Sequence, residues 1–262
     1  MSKATESATL AGVRAACREL RLPSIGARAE ATAADAAREG RSHLAFLTAL
    51  LETELEDRAE RRRQRRIVAA RFPRLKRLED FRFADNPAVP AAQIADLATG
   101  AFIDRAEGVI LLGDSGTGKT HLATAIGIAA CMASRRVRFT TTAGLVNELV
   151  EARDDKSLSR VVARYARMEL LILDELAYVP LAPAEAELLF QVLDERSETR
   201  SIVLTTNLPF GEWTKVFPEA RLCKAVVDRL TFNAHIIETG TESWRFRQTV
   251  ERQRKRGGRR SA

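Results

Sequence analysis

The sequence predicts an α/β fold: a parallel sheet flanked by helices around a phosphate-binding loop, preceded by a small all-helical N-terminal region. Three observations predict it. From about residue 100 onwards, short apolar runs alternate with amphipathic helical stretches, the pattern of a sheet covered on both faces. The stretch GDSGTGKT, Gly113 to Thr120, fills G-x-x-x-x-G-K-[ST] between such a run and such a helix. Up to about Arg77, by contrast, the chain reads as helical throughout.

In chain order, ARAEATAADAARE lies between Gly26 and Gly40 and is rich in alanine, which predicts a helix with glycine stops at both ends. Ser42 is placed to cap the next helix. Leu44, Leu47, Leu51 and Leu55 then recur at helical spacing as one apolar stripe. RAERRRQRRIVAARF, Arg58 to Phe72, continues that helix with seven arginines against Glu60 alone. Pro73 ends it near Phe72. Leu78 to Gly100, with Pro87 and Pro90, reads as a linker.

Beyond it, GVILLG (Gly108 to Gly113), VRFTT (Val137 to Thr141), LLILD (Leu170 to Asp174) and SIVLTTN (Ser201 to Asn207) read as buried strands. Helical stretches such as Thr120–Ser134 and Ala184–Ser197 separate them. From about Phe217 the pattern gives a helix, a short strand at HIIET and a helix from Ser243. The tail RQRKRGGRRSA has the composition of disorder. Three parts are expected: a helical N-terminal domain (1–77), a nucleotide-binding domain (78–250), and a basic tail (251–262).

Composition narrows the function classes. The chain has 262 residues, 45% of them hydrophobic, enough for a sizeable core, and a formal net charge of +7. A basic balance suits a polyanionic partner. Cys17, Cys131 and Cys223 are too scattered for zinc-type spacing or a disulfide framework, which fits a reducing cytosol. MSKATESATLAG lacks the apolar core of a signal peptide, and the apolar runs are too short to span a membrane. A cytoplasmic protein is expected.

The glycines at 113, 116 and 118 permit turns that bring backbone amides close to phosphates at a helix N-terminus. The cofactor-binding segment is therefore Gly113, Asp114, Ser115, Gly116, Thr117, Gly118, Lys119 and Thr120, extended by His121, whose helix position favours packing over a ligand role. Lys119 is expected to reach the β- and γ-phosphates of ATP, and Thr120 to hold Mg2+. In LLILDE, Asp174 supplies a carboxylate for the same ion. Glu175, one residue on, is placed to polarise an attacking water. Asn207, after TT at the end of another strand, can hold a water near the γ-phosphate.

The arginine run has its own chemistry. On a helix, Arg58, Arg61, Arg62, Arg65 and Arg66 are spaced by three or four residues. Glu60 and Asp57 are too few to neutralise them. Such a face suits phosphate contacts to double-stranded DNA that are indifferent to base identity. No aromatic precedes Phe72 in the run, so base stacking is not its evident mode.

These residues carry a resemblance. GTGKTHLATAIG, LLILDELAYVPL, EAELLFQVLDER, TTNLPFGEW, DRLTFNAHII and ESWRFR are similar to the IstB-like ATPases, helper proteins of insertion-sequence transposition within the AAA+ group and close to the helicase loader DnaC. LRLPSIGARAE and the stretch from Arg41 to Phe83 resemble that family's helical N-terminal domain. The likeness is collinear from roughly Leu20 to Arg247. It implies an AAA+ fold whose C-terminal part acts as a lid. Lys119 and Thr120 match the Walker A positions, Asp174 and Glu175 the Walker B positions, and Asn207 the sensor-1 position. Arg229 matches an arginine finger that reaches a neighbour's ATP, and Arg245 the sensor-2 arginine, with Arg247 a rival for that role. Trp244 stands where the family more often has tyrosine, Asp114 where proline is commoner, and Ala45 where an acid is usual. None of these departures removes a catalytic group.

The resemblance implies an ATP-hydrolysing, DNA-binding helper of transposition. It would form a homo-oligomer with ATP and DNA, deform target DNA, and recruit or activate a cognate transposase. A DnaC-like replicative helicase loader is the alternative, because its core would look the same. A small-molecule kinase fits poorly with Glu175, Asn207, the two late arginines and the arginine run.

Overall fold

The computed structural model describes residues 3–176 and 180–244, with side chains from residue 7. Compactness divides the chain into two units, residues 1–65 and 66–262. In the first, α1 (Lys3–Glu19) and α2 (Pro23–Arg38) pack together, followed by α3 (His43–Ala70), which continues past the division.

Helix α2 starts at Pro23, not after Gly26. Proline suits a first helical position, where its missing N–H is not needed. Gly26 lies inside the helix, where a Cβ would meet Cys17 Cβ at 3.1 Å, so the glycine lets α1 and α2 approach closely. Gly40, at φ +64, follows the C-terminus as expected. Ser42 Oγ accepts from the Ala45 amide at 3.2 Å and caps α3.

The leucine stripe of α3 faces outward. Leu44 and Leu55 are 76% and 63% exposed, and Leu47 and Leu51 are exposed too. The small core is instead Cys17, Ile25 and Leu50, with Leu22 and Phe46 against it. Helix α3 is apolar on more than one side, and the position of α1 and α2 decides which side is covered.

The adjacent buried position is Glu54, only 3% exposed. Its carboxylate accepts from the amides of Ser24 and Ile25 at 2.8 and 3.2 Å, capping the N-terminus of α2. Burial pushes this carboxyl up, but hydrogen bonds from Arg58, Ile25 and Ser24 outweigh it, so its pKa lies below the usual range.

The second unit holds one five-stranded sheet, order β2-β3-β4-β1-β5, all parallel. The strands are β1 (Gly108–Leu112), β2 (Val137–Thr141), β3 (Leu170–Asp174), β4 (Ser201–Thr206) and β5 (Ala234–Glu238). Its further helices are α4 (Ala91–Ala98), α5 (Ala101–Asp104), α6 (Lys119–Met132), α7 (Thr142–Asp154), α8 (Leu158–Ala166), α9 (Pro183–Arg196) and α10 (Ala220–Thr231). Side chains alternate along each strand. Ile110, Leu171, Leu173, Ile202 and Leu204 therefore join the core against α7 to α10. Val109, Leu111, Ile172 and Val203 join the opposite core with Leu122 and Ile126 of α6.

The stretch read as a linker, Leu78 to Gly100, belongs to that second core. Val89, Ile94 and Leu97 are buried, because the apolar face of α4 packs on α6. Pro90 is the N-cap of α4 rather than a sign of extension. The three cysteines are buried and free. Arg245, Arg247, the expected helix from Ser243 beyond Trp244, and the basic tail lie outside the described residues. Among the described residues, no helix is long and apolar enough to cross a membrane.

Candidate functional site: a nucleotide site at the strand ends

The connection from β1 runs to β2 at the far edge of the sheet, and β4 and β3 lie between them. Ligands of such sheets bind at the carboxyl ends of the strands, beside the crevice this reordering opens. The loop Gly113–Gly118 leaves β1 there and ends at the N-terminus of α6. Gly118 takes φ +99, and a Cβ on it would lie 2.7 Å from the Phe81 ring. Gly113 takes φ +154, and a Cβ there would lie 2.7 Å from the carbonyl of Gly240. Both positions thus exclude a side chain by conformation and by space. The first N–H groups of α6 have no acceptor within the helix, so they form an anion-binding end.

Lys119 Nζ reaches back over the loop, donating to the carbonyls of Gly113 and Asp114 at 2.6 and 2.8 Å. Asp114 and Ser115 are exposed, whereas Thr117 is buried. His121 makes a hydrogen bond to the Arg77 carbonyl at 2.9 Å and meets the Phe81 ring edge-on. That is a packing arrangement.

Thr120 Oγ1 donates to Asp174, at 3.1 and 3.0 Å from its two oxygens. Asp174 is 4% exposed. Its carboxylate also accepts from Thr205 Oγ1 at 2.5 Å, and Thr205 Oγ1 accepts from the Glu175 amide at 3.0 Å. Thr205 therefore aligns the carboxylate and anchors the next residue. Glu175 is exposed at the strand ends with φ +61, a backbone position costly for a non-glycine residue. Asn207 follows β4, which brings the Thr206 carbonyl to the Gly113 amide at 3.2 Å. One hydroxyl and one carboxylate at the loop's end form a hard-oxygen set of the kind Mg2+ takes together with substrate phosphates and water.

Arg229 lies elsewhere. It donates to Asp194 at 3.0 Å and to Asp228 at 3.4 Å, and lines a cavity with Arg105, Gly108, Arg200 and Ile202. Those residues mark the amino ends of β1 and β4. A strand of this length separates them from the loop by about 13 Å. Arg229 is thus remote from its own chain's nucleotide loop.

Of the residues expected in the site, Lys119, Thr120, Asp174, Glu175 and Asn207 come together at one end of the sheet. Thr205 joins them without having been singled out in the sequence, although it belongs to the same TTN as Asn207. A buried hydroxyl one strand away from an acidic strand end is the signal that points to it. Pairs within the arginine run also differ from a uniform face. Arg58 binds Glu54 at 2.8 Å, and Arg61 binds Ser24 Oγ at 2.8 Å and lies 3.7 Å from Glu54. Arg62 and Arg65 are exposed and donate through Nε to carbonyls of their own helix. Among the described residues, neither has a carboxylate within ion-pair distance. Arg66 is half-buried.

Residues 15–252 match the family model of the IstB-like ATP binding protein. The chain belongs to this family. The match spans most of the sequence, and relatives bear it out along their own length. A protein of Sinorhizobium fredii, named as an insertion sequence ATP-binding protein, is 42% identical over 91% of this chain and 80% of its own. The IS21 insertion sequence ATP-binding protein of Pseudomonas aeruginosa is 35% identical over 87% of this chain and 86% of its own. Among solved structures, AMPPCP-bound DnaA from Aquifex aeolicus superposes with a TM-score of 0.54 at 18% identity, covering 71% of this chain and 56% of that one. DnaI superposes with a TM-score of 0.52 at 20% identity, covering 62% and 90%. These two likenesses establish the AAA+ fold. This IstB-like chain is an ATP-binding AAA+ ATPase associated with insertion sequences.

Proposed function

We propose that this ATPase is a transposition helper that assembles on duplex DNA with ATP, deforms the DNA, and recruits or activates the transposase of its element. The kinship with proteins named for insertion sequences, extending over most of both chains, carries this reading. Residues 1–77 serve as the DNA-binding and oligomerisation domain, 78–250 as the ATPase domain with its lid-like end, and 251–262 as a basic tail. At the nucleotide site, Lys119 and the loop amides hold the phosphates. Thr120 and Asp174 hold Mg2+, which when bound neutralises charge on the β- and γ-phosphates. Glu175 polarises the attacking water and Asn207 positions it. Arg245 acts as the lid's sensor arginine.

Arg229 completes a neighbour's site. Its distance from its own loop supports action in trans and argues against action in cis. Arg229→Ala and Lys119→Ala proteins, each inactive alone, are then expected to recover part of the turnover when mixed, because each supplies what the other lacks. Full turnover by Arg229→Ala at every protein concentration would remove it from this role.

DNA binding rests on Arg62, Arg65 and Arg66, while Arg58 and Arg61 are engaged with Glu54 and Ser24. In a salt series on duplex binding, Arg62→Ala/Arg65→Ala/Arg66→Ala is expected to lower the slope of log K against log[salt] by about 0.9 for every phosphate the protein no longer neutralises. Turnover without DNA stays near normal. Arg58→Ala is expected instead to destabilise the N-terminal unit, leaving Glu54 buried with one partner fewer. An unchanged slope in the triple variant would place the DNA-binding surface elsewhere.

A further inference from the structure

Asn86, in the segment before α4, makes hydrogen bonds that the catalytic residues do not explain. Its side-chain Nδ2 spends both protons on backbone carbonyls: Thr117 O in the phosphate loop and Thr239 O just after β5, each at 2.9 Å. The two acceptors come from segments far apart in the chain. They are also joined directly, because Thr117 Oγ1 and Thr239 Oγ1 are 2.7 Å apart and both residues are buried. Around them, the Asp114 amide donates to Gly240 O at 3.0 Å, and the Trp244 amide donates to Gly116 O at 3.2 Å.

We propose that Asn86 is a positioning residue for ATP, which sets the orientation of the Thr117–Gly118 peptide. A trans peptide points its C=O and its N–H in opposite directions. Asn86 fixes the Thr117 carbonyl on one side, so the Gly118 N–H is directed to the other, where it can donate to a phosphate. Gly118 is the N-cap of α6 and sits at φ +99, where a glycine peptide otherwise turns with little resistance. The second bond, to Thr239 O, ties this peptide to the strand end that leads into Trp244 and the lid-like portion. The same amide thus holds the loop in its anion-binding shape and couples it to the segment that follows β5. This role for Asn86 rests on the loop being the phosphate site.

Asn86→Ala and Asn86→Asp should each raise the Kd for a fluorescent ATP analogue and the KM for ATP about tenfold or more, since two donated hydrogen bonds are lost. Turnover at saturating ATP should stay within about threefold, because Asn86 acts on binding in ground state and transition state alike. Asn86→Asp keeps the shape but turns acceptors toward two carbonyls, so it should be at least as severe as alanine. Asn86→Ser, whose single proton serves one carbonyl, should fall between them and wild type, and it provides the comparison if alanine does not fold. A lowered melting temperature with unchanged Kd and KM would make Asn86 a merely structural residue and overturn the proposal. So would wild-type affinity in Asn86→Asp. Lys119→Ala, measured alongside, should lose ATP binding; if it binds normally, the phosphate-loop reading itself fails.

Discussion

Glu175→Gln is expected to bind ATP as wild type does and to hydrolyse it about 100-fold more slowly or worse. The reason lies in the division of labour at the strand ends. In the proposed mechanism, phosphate and cation binding fall to Lys119, Thr120 and Asp174, which the substitution leaves in place. Glu175 stands one residue beyond Asp174, exposed, with its amide held by Thr205 Oγ1 at 3.0 Å. Its side chain is therefore aimed by a fixed backbone, and the amide of glutamine keeps its size while losing its basicity. Lys119→Ala should behave in the opposite way. It removes a cation from the phosphate site, so binding itself is lost, and with it any ATP-dependent assembly on DNA. Phosphate release and analogue binding, measured on both variants, separate the two effects. Turnover in Glu175→Gln within a few-fold of wild type would take the water-activating role away from Glu175.

Arg196→Ala is expected to destabilise the ATPase unit by about 3–5 kcal/mol, as a shift in the denaturant midpoint. Arg196 is 0% exposed. Its guanidinium donates to the carbonyls of Tyr165 and Met168 at 2.5 and 2.9 Å, and to that of Ser201 at 2.7 Å. It thereby fastens the end of α8 and the start of β4 to the end of α9. Burial, with Arg200 nearby, pushes its pKa down to about 9, a measure of how much hydration the group has given up. Alanine would leave a cavity and remove three donated hydrogen bonds, although the Tyr165 carbonyl keeps the Met168 amide as a donor at 3.1 Å. Arg196→Met fills the space but not the hydrogen bonds, so it should recover only part of the loss. A shift below about 1 kcal/mol for alanine would mean that water satisfies these carbonyls as well as arginine does.

Much of this protein is legible without its structure. The strand at Leu170–Asp174 falls where its apolar run does, because a strand buried on both faces needs an unbroken apolar stretch and little else. GDSGTGKT carries its own geometry, since its glycines are local conformational requirements. Asp174 and Glu175 are visible for the same reason: a strand's last residues necessarily stand at the sheet's carboxyl edge. Ser42 as the cap of α3 is equally local.

The features that escape a reading of the sequence depend on partners distant along the chain. The leucines at 44, 47, 51 and 55 form a regular stripe, yet Leu50 and Glu54 face the core, because the placement of α1 and α2 selects the covered side. The arginine run is uniform as a sequence. In the fold, Glu54 caps α2 some thirty residues back (Ser24 and Ile25), draws in Arg58 and Arg61, and leaves Arg62 and Arg65 outside. Val89, Ile94 and Leu97 stand among prolines and read as linker, though they seal one face of the sheet. Thr205 meets Asp174 only through the pairing of β3 with β4, and Asn86 meets Thr239 across 153 residues. Short-range patterns of polarity and backbone freedom are enough to set the elements, the phosphate loop and the acidic strand end. Which charges are occupied, which apolar face is bare, and that Arg229 stands at the far end of the sheet from its own loop are settled by folding alone, because those outcomes follow from pairings that no local pattern encodes.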